Sequence, residues 1–149
     1  MKYLSSAMLA LTLCLSPIAQ AQTAGEELGS CMVDAITGKE RKQLATWIFF
    51  AMAAHPDIKE FGNVTAEDQA SIDRTIGVLV TRLLTETCAA QLQAGYKEGG
   101  QLAIQNAFEL LGKVAMQELM TNRNVMVSVE GYANFIDEKK LESVLNGTK

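Results

Sequence analysis

The stretch TAGEELGSCMVDAI, residues 23–36, carries the signals from which the fold can be worked out. Thr23 and Glu26 have the spacing of a capping box, in which two side chains cap the first backbone N–H groups of a helix. Behind this box, apolar residues recur on one face: Leu28, Cys31, Ala35 and Ile36. The pattern predicts a helix over about residues 24–36, with Cys31 on its inward face.

The segment before this helix has the three parts of a secretory signal peptide, namely a basic start, a short apolar run and a small-residue cleavage site at Ala19-Gln20-Ala21. We expect cleavage between Ala21 and Gln22, which removes residues 1–21 and leaves residues 22–149 as one helical domain. The apolar run is shorter than the roughly 20 residues that a transmembrane helix needs. We therefore expect a periplasmic protein with no membrane attachment after cleavage.

The stretch Leu28-Gly29-Ser30-Cys31 resembles the lipobox of bacterial lipoproteins, in which the cysteine carries a fatty-acid anchor. A lipobox directly follows the apolar core of the signal, whereas Cys31 lies ten residues beyond Ala21. We therefore expect that Cys31 is not lipidated. Cys31 and Cys88 are the only cysteines after the signal, and exported proteins favour disulfides. We predict a Cys31–Cys88 disulfide. The alternatives are two free thiols or a metal site, although one histidine and two distant cysteines make a poor zinc set.

Helical period continues along most of the chain. A second capping box, Thr37 to Glu40, precedes a stretch from Leu44 to Ala54 that is apolar on every side. Such a stretch predicts a central core helix, with Trp47 largely buried. The further helices are predicted over about residues 66–97 (continuous, or broken near Thr85 to Thr87 and ended by Gly99-Gly100), over 101–120, and twice after Asn122. The predicted fold is all-α, a single compact bundle of five or six helices with one disulfide.

Composition and residue types favour binding over catalysis. The net charge of −4 argues against nucleic acid or an anionic membrane as a partner. His55 is the only histidine, and it lies at a predicted helix end where partial positive charge is favoured anyway. Because the two cysteines are assigned to a disulfide, no nucleophilic thiol remains. An enzyme is the least favoured class, and we predict no catalytic residues, no metal and no cofactor.

Two groups of side chains are candidate binding sites. Lys39, Arg41 and Lys42 form the densest basic cluster, which predicts contact with an acidic protein partner; the alternative is a solvated surface. The aromatic side chains of the core helix are a candidate apolar pocket; the alternative is ordinary core packing. They are Trp47, Phe49 and Phe50.

In size, export signal, disulfide and helical content, the chain resembles the periplasmic immunity proteins that neutralise cell-wall-degrading toxins. The resemblance is architectural and carries over no residue. It implies non-enzymatic binding of a protein partner, in an immunity-like or adaptor-like role. The alternative is a carrier of a small apolar ligand or lipid in the helical core. A surface groove would favour the first function, a closed apolar cavity the second, and a cleft with clustered polar side chains an enzyme.

Overall fold

A computed structural model describes residues 23–147 of the chain. Six α-helices follow one another within this range. They are α1 (Ala24–Ala35), α2 (Gly38–Ala53), α3 (Ala66–Arg82), α4 (Ala89–Met120), α5 (Arg123–Glu130) and α6 (Glu138–Leu145). A π-helical segment (Leu83–Thr87) joins α3 to α4, and two short 3₁₀ segments (Lys59–Phe61 and Gly131–Phe135) follow α2 and α5. The predicted signal peptide, residues 1–21, and its cleavage site between Ala21 and Gln22 lie outside the described residues.

Capping side chains begin the helices where the sequence predicts. Thr23 and Glu26 cap α1 reciprocally, with the Thr23 backbone N–H donating to Glu26 Oε2 at 2.8 Å. The same reciprocal box starts α2 and α3, and an aspartate side chain caps α6. The residues involved are Thr37 with Glu40, Thr65 with Asp68, and Asp137. The prediction of an all-α fold with five or six helices is confirmed.

The centre of the bundle is the close contact between α1 and α4. A Cβ atom added at Gly25 would lie 3.0 Å from both the Cα and the carbonyl oxygen of Ala103. One turn later, a Cβ atom added at Gly29 would lie 3.2 Å from the Cα of Ala107. These distances leave no room for a side chain, so the glycines let the two backbones approach closely. The contact also shows that α1 runs parallel to the second half of α4.

Helix α4 reverses direction at Gly100, whose φ of 57° lies in the region that favours glycine. A Cβ atom added at Gly95 would lie 3.6 Å from the Cβ of Ala103. Eight residues of straight helix would separate the two positions by about 12 Å. The halves 89–99 and 101–120 therefore form a tight hairpin. Of the two alternatives for residues 66–97, the structure has the break near Thr85–Thr87, as the π-helical segment, and the predicted interruption at Gly99-Gly100 is also present.

The disulfide joins Cys31 of α1 to Cys88, where the π-helical segment meets α4, with an Sγ–Sγ distance of 2.06 Å. Cys88 is fully buried. The largest fully buried apolar side chains belong to the same core cluster, and they are Leu28, Met32, Leu83 and Leu111. The predicted pairing of Cys31 with Cys88 is confirmed, and it fixes α1 against the entrance of the α4 hairpin.

Helices α2 and α3 form an antiparallel pair on one side of this centre. At one end, Arg82 Nη2 donates to Glu40 Oε1 at 2.9 Å; at the other, Trp47 Nε1 donates to Asp73 Oδ1 at 2.9 Å. Only Leu44, Ala45 and Ala53 of α2 are buried. The prediction of a central core helix over residues 44–54 is therefore wrong. Because α1 and the α4 hairpin occupy the centre, α2 packs with one face and leaves several apolar side chains at the surface.

The C-terminal tail, defined here as residues 121–147, contributes no buried side chain. Helix α5 follows α4 after a short turn, and the second 3₁₀ segment continues directly from α5. The prediction of a helix directly after Asn122 is confirmed, since α5 begins at Arg123. The tail nevertheless carries nine of the nineteen large apolar residues that are exposed in the described chain. It is an amphipathic extension of the bundle.

We predict that Gly25→Ala lowers the free energy of unfolding by about 1–3 kcal/mol, because its Cβ would overlap the Ala103 backbone. Gly77→Ala is the matched control, since its Cβ would meet no atom within 4 Å. It should raise stability by about 0.5–1 kcal/mol, because alanine is the better helix former. Urea denaturation followed by circular dichroism measures both values. A Gly25→Ala variant as stable as the wild type would contradict the close contact of α1 with α4.

We also predict that Cys88→Ser lowers the free energy of unfolding by about 2–4 kcal/mol, because the unfolded chain loses a long covalent loop. The Cys31→Ser variant should lose a similar amount. Non-reducing peptide mapping of the wild type checks the pairing, and urea denaturation measures the stability. Free-thiol labelling of both residues in the native protein would overturn this prediction.

Candidate functional site

An apolar groove runs along the surface between α3 and the second half of α4, with α2 as its floor. It encloses about 340 Å³ and is open to solvent on its outer side. The residues that line it are Leu44, Trp47 and Ile48 from α2, Asp73, Ile76, Gly77 and Val80 from α3, and Phe108, Leu111 and Gly112 from α4. Asp73 is the one charged residue among them. This set of residues is called the groove below.

The groove exists because its two walls have different packing partners. Helix α3 packs against α2, whereas α4 packs against α1 and α2. Both walls therefore rest on α2 and leave a space between them. The space is open beside two lining glycines, since a Cβ atom added at Gly77 or Gly112 would meet no atom within 4 Å. The groove is thus an incomplete layer of the helical bundle.

Trp47 lies at the rim of the groove, where 37% of the residue is exposed. Its indole N–H donates to Asp73 Oδ1, which also accepts a hydrogen bond of 2.8 Å from Gln69 Nε2. The prediction that Trp47 is largely buried is wrong, because no helix covers the outer side of the groove. An indole with one apolar face and a satisfied N–H suits such a half-open position.

The three aromatic residues predicted as one apolar pocket do not share one cavity. Trp47 lines the groove, whereas Phe50 lines a separate open depression together with Val64 and Gln69. Phe49 is exposed and contacts Phe50 edge to face, with ring centroids 6.0 Å apart. Among the three aromatic residues, only Trp47 belongs to the groove.

The predicted basic cluster is divided by the structure. Arg41 Nε donates to Glu118 Oε2 at 3.3 Å, and Arg41 Nη1 donates to the backbone oxygen of Ile36. Arg41 therefore links α2 to α4. Lys39 and Lys42 are exposed. By helical periodicity they project roughly opposite the face of α2 that forms the groove floor.

Carboxylates at the helix starts carry the resolved pKa shifts. Hydrogen bonds from Thr37, first of all from its backbone N–H, and the guanidinium of Arg82 lower the pKa of Glu40 below its ordinary value of 4.5. The Thr65 hydroxyl and backbone N–H lower the pKa of Asp68. A lowered pKa means that each group stabilises the fold above its ordinary pKa and loses this effect as the pH falls through the lowered value. Both shifts belong to helix caps, and neither residue lines the groove.

Residues 23–147 hold no group of three or more His, Cys, Asp or Glu side chains placed to bind a metal. His55 is exposed and lies 3.9 Å from the carboxylate of Asp57. No helix in this part of the chain is both long and apolar enough to cross a membrane.

No family model, no curated protein and no solved structure matches the chain.

Sequence reasoning did not find the groove as a site. Its lining comes from three segments that are distant in sequence, near residues 44–48, 73–80 and 108–112. The segments near residues 73–80 and 108–112 show only the apolar periodicity of an ordinary helix. The one available signal for the groove was that α2 has more apolar residues than one packed face needs.

We predict that Trp47→Ala lowers the free energy of unfolding by about 1–3 kcal/mol, less than the about 3–5 kcal/mol typical of a fully buried tryptophan. Trp47→Phe keeps an aromatic ring and loses the hydrogen bond to Asp73, which should cost about 1 kcal/mol. Urea denaturation measures both losses. The chain has a single tryptophan, so the wild-type emission reports on this site and should lie between those of buried and fully exposed indoles. Emission typical of a buried indole would show that the groove is covered.

Proposed function

We propose that the protein is an exported, non-enzymatic binding protein that captures a protein partner through the groove. The observation that carries this proposal is the open apolar groove between α3 and α4. Removing apolar surface of this kind from water lowers the free energy of the system. The groove lies on the outside of the bundle, where a macromolecule can reach it. Compartment and partner are proposals here, and they rest on the N-terminal sequence pattern and the groove respectively.

The shape of the groove favours an α-helix as the bound element. Its floor is one helix and its walls are two helices, so an added helix would complete the layer. The α3 wall runs from Asp73 to Val80, eight residues, a rise of about 10 Å. Two turns of an amphipathic helix fit this length. Such helices bind apolar grooves through side chains spaced i, i+3 and i+4.

Export to the periplasm is supported by the predicted signal peptide and by the disulfide. The bacterial periplasm is oxidising, and disulfides persist there. The role closest to this description is that of an immunity-like or adaptor-like protein, which acts by occupying a surface of another protein. The exposed Lys39 and Lys42 offer an acidic partner a second contact, on the opposite side of α2 from the groove.

The proposal is tested by filling the groove without disturbing the core. Gly112→Arg places a long charged side chain in open space, so the helix should remain folded. Val78→Arg is the matched control, because Val78 is 70% exposed on α3 and does not line the groove. We expect Gly112→Arg to reduce capture of protein partners from periplasmic extract at least about tenfold, a loss of 1.4 kcal/mol. Val78→Arg should leave capture unchanged.

Quantitative crosslinking pull-down measures capture, and circular dichroism checks the fold of each variant. A Lys39→Glu/Lys42→Glu variant tests the second contact separately. Equal capture by the wild type and Gly112→Arg would overturn the groove as the binding surface. Co-purification of lipid without any protein would replace this function by that of an apolar-ligand carrier, since about 340 Å³ also suits a small ligand.

A further inference from the structure

The tail presents a second unpartnered apolar surface on the same chain. In α6, Leu141, Val144 and Leu145 recur at i, i+3 and i+4 and form one stripe. They are 49%, 77% and 76% exposed. Elsewhere in the tail, Tyr132 and Phe135 are 67% and 90% exposed. A folded chain that leaves this much apolar surface in water is expected to cover it by association.

Helix α6 matches the groove in length and in chemistry. Its eight residues rise about 10 Å, the same length as the eight residues of the α3 wall. The stripe carries no charged residue, and the one charged group in the groove, Asp73, already accepts hydrogen bonds from Trp47 and Gln69. Docking would therefore bury apolar groups against apolar groups, with no unpaired charge introduced by the stripe. We infer that α6 of one copy occupies the groove of a second copy. This inference rests on the proposed function of the groove as a receptor for a helix.

A second copy is favoured over the chain's own groove. Within residues 23–147, α5 and the 3₁₀ segment make their main contacts with the elements next to them in sequence, and α6 takes part in none of the main contacts between elements. The tail leaves α4 at Met120, about two turns beyond the groove residue Gly112. Exchange between two copies is reciprocal, so each tail fills the partner's groove and the assembly closes with two-fold symmetry.

The charge of the tail argues against an anionic lipid surface as its binding partner. Amphipathic segments that bind such surfaces are rich in Lys and Arg on their polar face. The tail has three basic residues against four acidic ones within residues 123–145. The basic residues are Arg123, Lys139 and Lys140, and the acidic residues are Glu130, Asp137, Glu138 and Glu142.

The area that α6 offers suits a weak, reversible dimer. Complete burial of one large apolar side chain removes roughly 60–120 Å² at about 25 cal/mol per Å². The three stripe residues, 49–77% exposed, offer on the order of 200 Å² per copy. Two exchanged helices and the groove surfaces they cover reach on the order of 800 Å², the size of a small, transient interface.

The experiment compares four versions of the full exported chain by sedimentation velocity over about 1–100 μM, a range that brackets an ordinary micromolar dissociation constant. The wild type should dimerise, and its Trp47 emission should shift to shorter wavelength with concentration. Gly112→Arg blocks the groove, and Leu141→Arg/Val144→Arg disrupts the stripe; each should raise the dimer dissociation constant at least about tenfold. Ser128→Arg/Asn134→Arg adds the same charge to the tail away from α6 and should leave the dimer intact. Circular dichroism checks that each variant is folded.

Mixing the two defective variants provides the decisive readout. The groove variant retains an intact α6, and the stripe variant retains an intact groove, so the mixture should recover a heterodimer held by one of the two exchanges. A wild type that stays monomeric, a dimer that both variants leave unchanged, or a mixture without recovery would overturn the exchange. Binding of the tail to phosphatidylglycerol vesicles in place of dimerisation would also overturn it. Groove-dependent capture of another protein by a monomeric wild type would retain the proposed function while rejecting the exchange.

Discussion

The close approach of α1 to the α4 hairpin is the constraint on which the rest of the structure depends. Gly25, Gly29 and Gly95 remove the side chains that would hold the backbones apart, and Gly100 lets α4 return alongside itself. This arrangement fills the centre of the bundle with three helical segments. Helices α2 and α3 are consequently placed outside the centre, and they are fixed there by Glu40 with Arg82 and by the packing of α2 on α4.

The features that were predictable from sequence are those that local chemistry determines. A capping box acts over three residues and needs no tertiary partner, so the helix starts at Thr23 and Thr37 were predictable from the local sequence. The disulfide followed because the predicted removal of residues 1–21 leaves two cysteines, which have one intramolecular pairing. The single break that reverses α4 was also signalled, since Gly99-Gly100 interrupts an otherwise helical pattern.

The groove and the exposure of Trp47 were not predictable, because both depend on which helices occupy the centre. An all-apolar segment such as residues 44–54 is compatible with complete burial and with a half-covered position beside an unfilled space. Helical periodicity does not distinguish these cases, since it describes one helix and not its neighbours. Gly25 and Gly29 let α1 and α4 occupy the centre, which leaves residues 44–54 half-covered. This effect is visible only in the three-dimensional structure.

The covalent connection between Cys31 and Cys88 has a mechanical consequence. The loop that it closes contains all of α2 and α3, which supply the floor and one wall of the groove. Tension applied to the two ends of the chain passes from α1 to α4 through the sulfur atoms and bypasses this loop. A single proteolytic cut in the connection between α2 and α3 likewise leaves both fragments in one molecule, so the disulfide protects the groove from stretching and from a single cleavage of the chain.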